Sequence, residues 1–391
     1  MGLLIPPPDD PTWLGFGRRG WVSHNHHNPF LRFRSMLTSY QRAAELGWSD
    51  DQFVDLVNSM DDALADVADH GFSLTPMYQA PELATAVGHR GRLWIKDETG
   101  NVTGSHKSRH LFGLALHLAV EEVPLDVPLA IASCGNAALA ASAIARAASR
   151  PLEVFVPDWA EGWILDRLDA NGAQVSVCSR DKGELGDPCH RRFREAVASG
   201  ALPFGCQGPD EPRTLDGGRT LGWEIVEEIP SCDRVVIHVG GGALASSLAQ
   251  ALAGAVASER WASLPTFDTV QTQGCAPLAA AMDRLAPQLQ AGVAFSELDT
   301  TGAMQPWPTV PTSLADGILD DVTYDWIVLA WMMLTTGGRA IVAPEQDVRR
   351  AHHLAQQGGH RVSPTGSAGL AGLMSEPKPD AETVVVFSGV G

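Results

Sequence analysis

Four short segments carry side chains able to do chemistry, and each follows a run that reads as a β-strand. The first is Lys96-Asp97-Glu98-Thr99-Gly100-Asn101-Val102-Thr103-Gly104-Ser105-His106-Lys107-Ser108-Arg109. Lys107 stands just inside a helix start, after a glycine-containing turn. The positive end of a helix and burial both favour the neutral amine, which is the form that condenses with a carbonyl to an imine. The plainer alternative is a surface lysine in a loop. The second segment, Ser133-Cys134-Gly135-Asn136, opens an Ala-rich helix. Small polar residues there present backbone N–H groups that suit a carboxylate, although N-capping by Ser133 or Asn136 is the simpler use.

The third segment is Val239-Gly240-Gly241-Gly242-Ala243-Leu244, after an apolar run. Three glycines let the backbone wrap an anion while the next helix aims its N-terminus at it. No Walker-type lysine follows, so a phosphate is indicated rather than a nucleoside triphosphate. Read only as a tight strand-to-helix turn, three successive glycines exceed what sterics require. The fourth segment, Phe387-Ser388-Gly389-Val390-Gly391, closes the sequence, and a frayed terminus is its bland reading. Two further motifs carry less. Gly15-Phe16-Gly17-Arg18-Arg19-Gly20 has dinucleotide-site spacing but follows no strand and opens no helix. His24, His26 and His27 lack a carboxylate or thiol at ligand spacing and read as a polar loop, so no metal site is expected.

The elements that must position these segments are strands alternating with helices. Candidate strands are Leu93–Lys96, Leu129–Ala132, Val154–Val156, Gln174–Cys178, Arg234–Val239, Thr269–Gln273 and Thr383–Phe387. Helical patterns such as Ala137–Ala148 and Gly217–Glu228 lie between them. This alternation predicts an α/β fold with parallel sheets and helices on the faces, binding ligands beyond the strands' carboxyl ends. Before residue 92 the chain is irregular and then helical. Ser49 and Gln52 form a capping box ahead of Phe53, Val57, Met60, Leu64 and Val67, and His70-Gly71 is the expected stop.

The bulk composition narrows the partners. The chain has 391 residues, enough for about two domains, and a formal net charge of −18. Such a surface repels phosphate backbones and anionic membranes, so neither nucleic acid nor membrane is an expected partner. The six cysteines form no CxxC pair and read as reduced thiols. The N-terminus lacks the basic flank and long apolar run of a signal peptide, and no stretch is long enough for a membrane helix, so a cytoplasmic protein is expected.

Taken in order, these segments resemble the fold-type II pyridoxal-phosphate enzymes, the superfamily of threonine synthase, threonine and serine dehydratases, cysteine synthase and the tryptophan synthase β chain. The likeness runs from Thr75 to Gly391 and is nearest to threonine synthase-like and threonine dehydratase-like proteins. Thr75-Pro76-Met77-Tyr78-Gln79-Ala80-Pro81-Glu82-Leu83-Ala84 resembles their entry segment, and Lys96-Asp97-Glu98 with Thr103-Gly104-Ser105 and Lys107 resembles their lysine signature. VQTQGCAPLAAA, VSPTGSAGLAGL and VVVFSGVG also find counterparts. The resemblance implies two open, mostly parallel sheets with helices on both faces and pyridoxal 5′-phosphate between the domains. Lys107 would carry the cofactor as an imine and shuttle the α-proton. Asn136 would bond the cofactor's ring oxygen, while Ser133, Cys134, Gly135 and Asn136 hold the substrate carboxylate. Gly240, Gly241, Gly242, Ala243 and Leu244 would hold the phosphate, and Ser388 would face the pyridine nitrogen. A homodimer is implied in the same way.

The sequence also departs from that pattern. His106 stands where Phe is usual, as in the tryptophan synthase β chain, and is expected at the phosphate. Ser108 stands where threonine synthases have Asp, which weakens a phosphohomoserine substrate. Cys134 replaces the Ser or Thr that serves serine racemases as second base, so racemisation is not expected. Ser363 replaces a frequent Glu.

The implied domains are an N-terminal extension, 1–74, packing on the large domain; a small α/β domain, 105–205; and a large α/β domain, 75–104 plus 206–391. The expected activity is α,β-elimination on a small β-hydroxy or β-substituted amino acid, as in serine and threonine dehydratases. A threonine synthase-like β- or γ-replacement is the alternative, and a catalytically silent sensor of the cofactor is a third class. The hydroxyl of Ser388, where an Asp would favour transamination, supports elimination.

Overall fold

The computed structural model describes residues 20–179 and 187–390. Gly15 to Arg19 of the glycine motif lie outside them. Among the described residues the strands are β1 (Met77–Gln79), β2 (Leu93–Asp97), β3 (Leu129–Ala132), β4 (Leu152–Pro157), β5 (Gln174–Cys178), β6 (Leu202–Pro203), β7 (Arg234–His238), β8 (Thr266–Thr272), β9 (Ala340–Ala343) and β10 (Thr383–Phe387). They form a six-stranded sheet in the order β1-β2-β10-β7-β8-β9 and a four-stranded sheet in the order β5-β4-β3-β6. Every pairing is parallel except β1 with β2.

The chain divides into two compact units. Of the described residues, the first holds Thr75–Gly100 and 221–390, and the second holds Val22–Leu74, 101–179 and 187–220. In the first, β7 and β10 are buried along their whole length. Strands covered on both faces read as continuous apolar runs, as Val235-Val236-Ile237 and Val384-Val385-Val386 do. Alternate residues feed two cores. Val235, Ile237, Val384 and Val386 pack on one face, and Ile95, Val236, Val385 and Phe387 on the other. In the second unit Ala130, Phe155, Cys178, Cys189 and Phe193 share a core.

The unit boundaries differ from the division read from sequence, because the helices of Val22–Leu74 group with Asn101–Thr220. Two long-range contacts give the physical reason. Phe30, Phe72 and Phe112 pack ring on ring with centroids 4.7–4.9 Å apart. The Asp216 carboxylate accepts the Thr38 and Ser39 N–H groups at 3.0 and 3.1 Å and so caps the helix Thr38–Glu45. Neither contact leaves a local sequence signal. The Ser49/Gln52 capping box forms with both of its hydrogen bonds, and the helix it starts, Asp50–Ala68, ends on left-handed Asp69 rather than at His70-Gly71.

Candidate active site

Lys107 is the first residue of the helix Lys107–Val120. The approach to it is built from short-range polar contacts. Asp97 ends β2 and accepts both the N–H and the hydroxyl of Thr99 at 2.9 and 2.7 Å. Asn101 accepts the Val102 N–H at 2.8 Å and donates to the Ser105 carbonyl at 3.2 Å. Thr103 has φ +56°, a left-handed setting unusual for a β-branched residue. Ser108 holds that strained turn in place: its hydroxyl donates to the Val102 carbonyl at 2.5 Å and lies 2.6 Å from the Thr103 hydroxyl. Lys107 itself is half-buried and makes no side-chain hydrogen bond or ion pair among the described residues. The ε-nitrogen is therefore not held by a carboxylate. His106, directly before it, is buried, and its ring meets that of His110 edge-on at 5.7 Å.

The Lys107 helix packs on the helix Asn136–Ala147, which follows β3. Ser133 donates its N–H to the Phe155 carbonyl at 3.2 Å, and the Gly135 N–H reaches the Ser133 hydroxyl at 3.4 Å. The cap residue is Gly135, so no side chain caps this helix. Lys107, His106 and Ser133 to Asn136 all belong to the second unit.

Gly240 to Leu244 and Ser388 belong to the first unit, beyond the carboxyl ends of the neighbouring strands β7 and β10. Gly242 has φ +103° and is the cap residue of the 15-residue helix Ala243–Ala257, which has no side-chain cap. Each glycine also has a steric reason that the sequence did not reveal. A Cβ on Gly240 would strike the Asp320 carboxylate and come within 2.9 Å of the Ile318 Cα. One on Gly241 would lie 3.1 Å from the Tyr324 ring, and one on Gly242 would lie 3.2 Å from Asp325 Cβ and Thr323 Cγ2. The segment Ile318 to Asp325 thus lies directly against the turn, and the Asp325 N–H donates to the Gly241 carbonyl at 3.0 Å. Gln271, buried in β8, ties the same region together: it donates to Thr323 at 3.2 Å and accepts the Leu278 N–H at 2.8 Å. Nothing in the spacing of Asp320, Tyr324 or Gln271 along the sequence links them to the glycines.

Ser388 is buried, not frayed. Its N–H donates to the Gly366 carbonyl at 3.3 Å, and the N–H and hydroxyl of Ser363 both donate to the Gly389 carbonyl at 3.1 Å. Nearby, the Tyr78 hydroxyl donates to Asp97 at 3.1 Å and meets His360 Nδ1 at 2.9 Å, while Phe387 packs edge-on to the His360 ring. Burial pushes the Tyr78 phenol up, with the Asp97 carboxylate adding to it. His24 hydrogen-bonds Ser35, and among the described residues no group of His, Cys, Asp or Glu gathers to hold a metal.

The residues fit pyridoxal phosphate. A long helix with a glycine at its cap and no capping side chain suits a phosphate dianion, a second uncapped helix suits a carboxylate, and a lysine with no partner suits an aldehyde.

A family model described as pyridoxal-phosphate dependent enzyme matches residues 69–389. L-threonine ammonia-lyase of Thermotoga maritima is 30% identical over 166 residues, 41% of this chain and 39% of that protein. Serine racemase of Bos taurus is 29% identical over 178 residues, 45% of this chain and 51% of that protein. The match spans about half or less of these relatives' own lengths. Among solved structures, threonine deaminase isoform 2 of Solanum lycopersicum has a TM-score of 0.66 over 88% of this chain and 91% of its own, at 19% identity, a likeness of fold.

Proposed function

We propose that this chain, which belongs to the pyridoxal-phosphate dependent enzymes, is a lyase that eliminates the β-substituent of a small β-hydroxy or β-substituted amino acid. The observation that carries the reading is Lys107: a half-buried amine at a helix start with no ion-pair or hydrogen-bond partner among the described residues. Bound pyridoxal phosphate supplies an aldehyde for covalent attachment and a ring that withdraws electrons from the substrate's α carbon.

The protein's own groups do the rest. Lys107 would hold the cofactor through its ε-nitrogen and would take the substrate's α-proton at that same atom. The backbone at Ser133 to Asn136 orients the substrate carboxylate, and the Asn136 side chain bonds the cofactor's ring oxygen. Gly240 to Leu244, with His106, hold the phosphate. Ser388 would offer the ring nitrogen an uncharged hydroxyl, which favours loss of a β-leaving group over transamination. Cys134, lacking a hydroxyl, leaves Lys107 as the base. The homodimer and the cytoplasmic setting belong to the same reading. No described helix is long and apolar enough to cross a membrane.

The test is to incubate the purified protein with a panel of β-hydroxy and β-substituted amino acids and assay 2-oxo acid and ammonia. Release of both from one of them is expected. Turnover only when a nucleophile or phosphorylated homoserine is supplied would replace elimination with replacement chemistry, and no turnover of any kind would leave the sensor.

A further inference from the structure

Ser388 is carried by the end of β10, but contacts from outside that strand set its position. Its N–H donates to the Gly366 carbonyl, and the N–H and hydroxyl of Ser363 both close on the Gly389 carbonyl. Ser363 and Gly366 sit on one connector, residues 358–366, which follows the helix Glu345–Gln357. That connector opens on Gly358-Gly359, both exposed, and Gly359 has φ +81°. A glycine pair by itself fixes the direction of the chain poorly. The first side chain after it is His360.

His360 is pinned on two sides. Its Nδ1 lies 2.9 Å from the Tyr78 hydroxyl, its ring stacks on the Tyr78 ring with centroids 5.8 Å apart, and the Phe387 ring meets it edge-on at 5.2 Å. The Tyr78 hydroxyl gives its single proton to Asp97, 3.1 Å away. A carboxylate only accepts, so His360 Nδ1–H must donate to the Tyr78 oxygen. Burial and the Asp97 carboxylate both push the phenol up, so that proton stays on Tyr78 across the working range. Asp97 is fixed in turn by the N–H and hydroxyl of Thr99, and by the pairing of β2 with β10 that sets it opposite Phe387. The donors therefore run from His360 through Tyr78 to Asp97, and both ends of that chain adjoin Phe387, the residue before Ser388. Val362 also packs into the core beside the connector, but apolar contact is non-directional. The hydrogen bonds supply the direction.

We propose that Tyr78 is a positioning residue for Ser388: through His360 it latches the connector whose Ser363 and Gly366 hold the turn at Ser388 and Gly389. A hydroxyl that must meet one ring atom within hydrogen-bond range tolerates little drift. The inference rests on the reading in which Ser388 faces the cofactor's ring nitrogen, whereas the hydrogen bonds of the latch do not depend on it.

The direct experiment is amide exchange, read by NMR on the cofactor-free full chain. Tyr78→Phe keeps the ring and loses only the hydroxyl. In it the Ser363 and Ser388 amides should exchange about tenfold faster, the worth of one hydrogen bond. Val384 and Val385, paired to β2 and β7, should keep wild-type rates. His360→Leu should behave in the same way, and His360→Asn, which can present an N–H near the Nδ1 position, should recover most of the protection. Unchanged exchange at Ser363 and Ser388, or equal acceleration throughout β10, would overturn the proposal. The role of Ser388 is tested separately. Ser388→Ala should shift the absorption band of bound pyridoxal phosphate, and Tyr78→Phe should shift it in the same direction by a smaller amount. A band moved by Ser388→Ala and untouched by Tyr78→Phe would also overturn the latch. A band indifferent to Ser388→Ala would instead remove the ring contact, with the latch still decided by the exchange rates.

Discussion

Gly113 of the helix Lys107–Val120 and Gly217 of the helix Thr214–Glu228 meet backbone to backbone. A Cβ on Gly113 would lie 2.6 Å from the Gly217 Cα, and one on Gly217 would collide with the Arg109 carbonyl. The first turn of the Lys107 helix is thus located by a contact between residues about a hundred positions apart in the chain. The placement of Lys107 depends on that contact as much as on its own turn.

Gly217→Ala is expected to destabilise the protein by about 1–3 kcal/mol or more, since neither backbone can yield without moving its helix. It should also reduce cofactor affinity, although residue 217 touches no cofactor in the proposed site. Urea unfolding and absorbance titration with the cofactor measure the two effects, and wild-type values in both would show that the crossing is not needed.

Lys107→Ala removes the only group proposed to bond the cofactor covalently. Borohydride treatment should then leave no cofactor mass on the protein, and turnover should fall by about a thousandfold or more. Melting temperature should stay near wild type because the side chain makes no hydrogen bond or ion pair among the described residues.

Gly240→Ala would place a methyl group against Asp320 and Ile318 and shift the turn proposed to hold phosphate. Affinity for pyridoxal phosphate should drop about tenfold or more, as expected for a lost charge-assisted hydrogen bond. Affinity for phosphate-free pyridoxal should be little changed. Parallel losses for both ligands would mean that the turn supports the fold and not the phosphate.

The Lys96 ammonium is fully buried, 2.5 Å from Glu224 and 2.7 Å from the Thr75 carbonyl, and Thr75 in turn donates to Glu98 at 2.5 Å. Lys96→Met should cost about 3–5 kcal/mol by stranding a buried carboxylate, and a Lys96→Met/Glu224→Gln double variant should regain much of that. Denaturant titration of the three proteins measures it.

Asp216 sets an acid limit on stability. Burial is the largest single influence and favours the neutral acid, but the Arg219 cation, His117 and the Thr38 N–H together outweigh it and hold the carboxyl below its ordinary range. The folded state then binds fewer protons than the unfolded chain. The stabilisation is complete above the ordinary carboxylate range and is lost as pH falls through the folded value. The urea midpoint of wild type should therefore hold down to about pH 5 and decline below about pH 4. In Asp216→Asn the protein should be weaker at neutral pH and its acid limb flatter. An equally steep limb would assign the acid loss to other groups.

Much of the framework was legible because its signals are local. Leu129–Ala132, Gln174–Cys178 and Thr383–Phe387 are strands at the limits their apolar runs suggested. The Ser49 capping box formed because all its atoms lie within one helical turn. β1, β6 and β9 carry no strand signal in the sequence: each is only two to four residues long and sits at an edge of its sheet, where pairing with a neighbour and not composition makes the strand.

The sequence alone singled out the groups proposed to react, Lys107 above all, because amine chemistry, helix starts and glycine turns are written in a few consecutive residues. Only the tertiary structure decided what surrounds them. It placed Ile318 to Asp325 on the glycine turn, fastened Ser388 to Gly366, and grouped Val22–Leu74 with the lysine's unit. The reason is physical: those contacts join residues far apart in the chain, and their energies come from packing and hydrogen bonds that exist only once the chain has closed on itself.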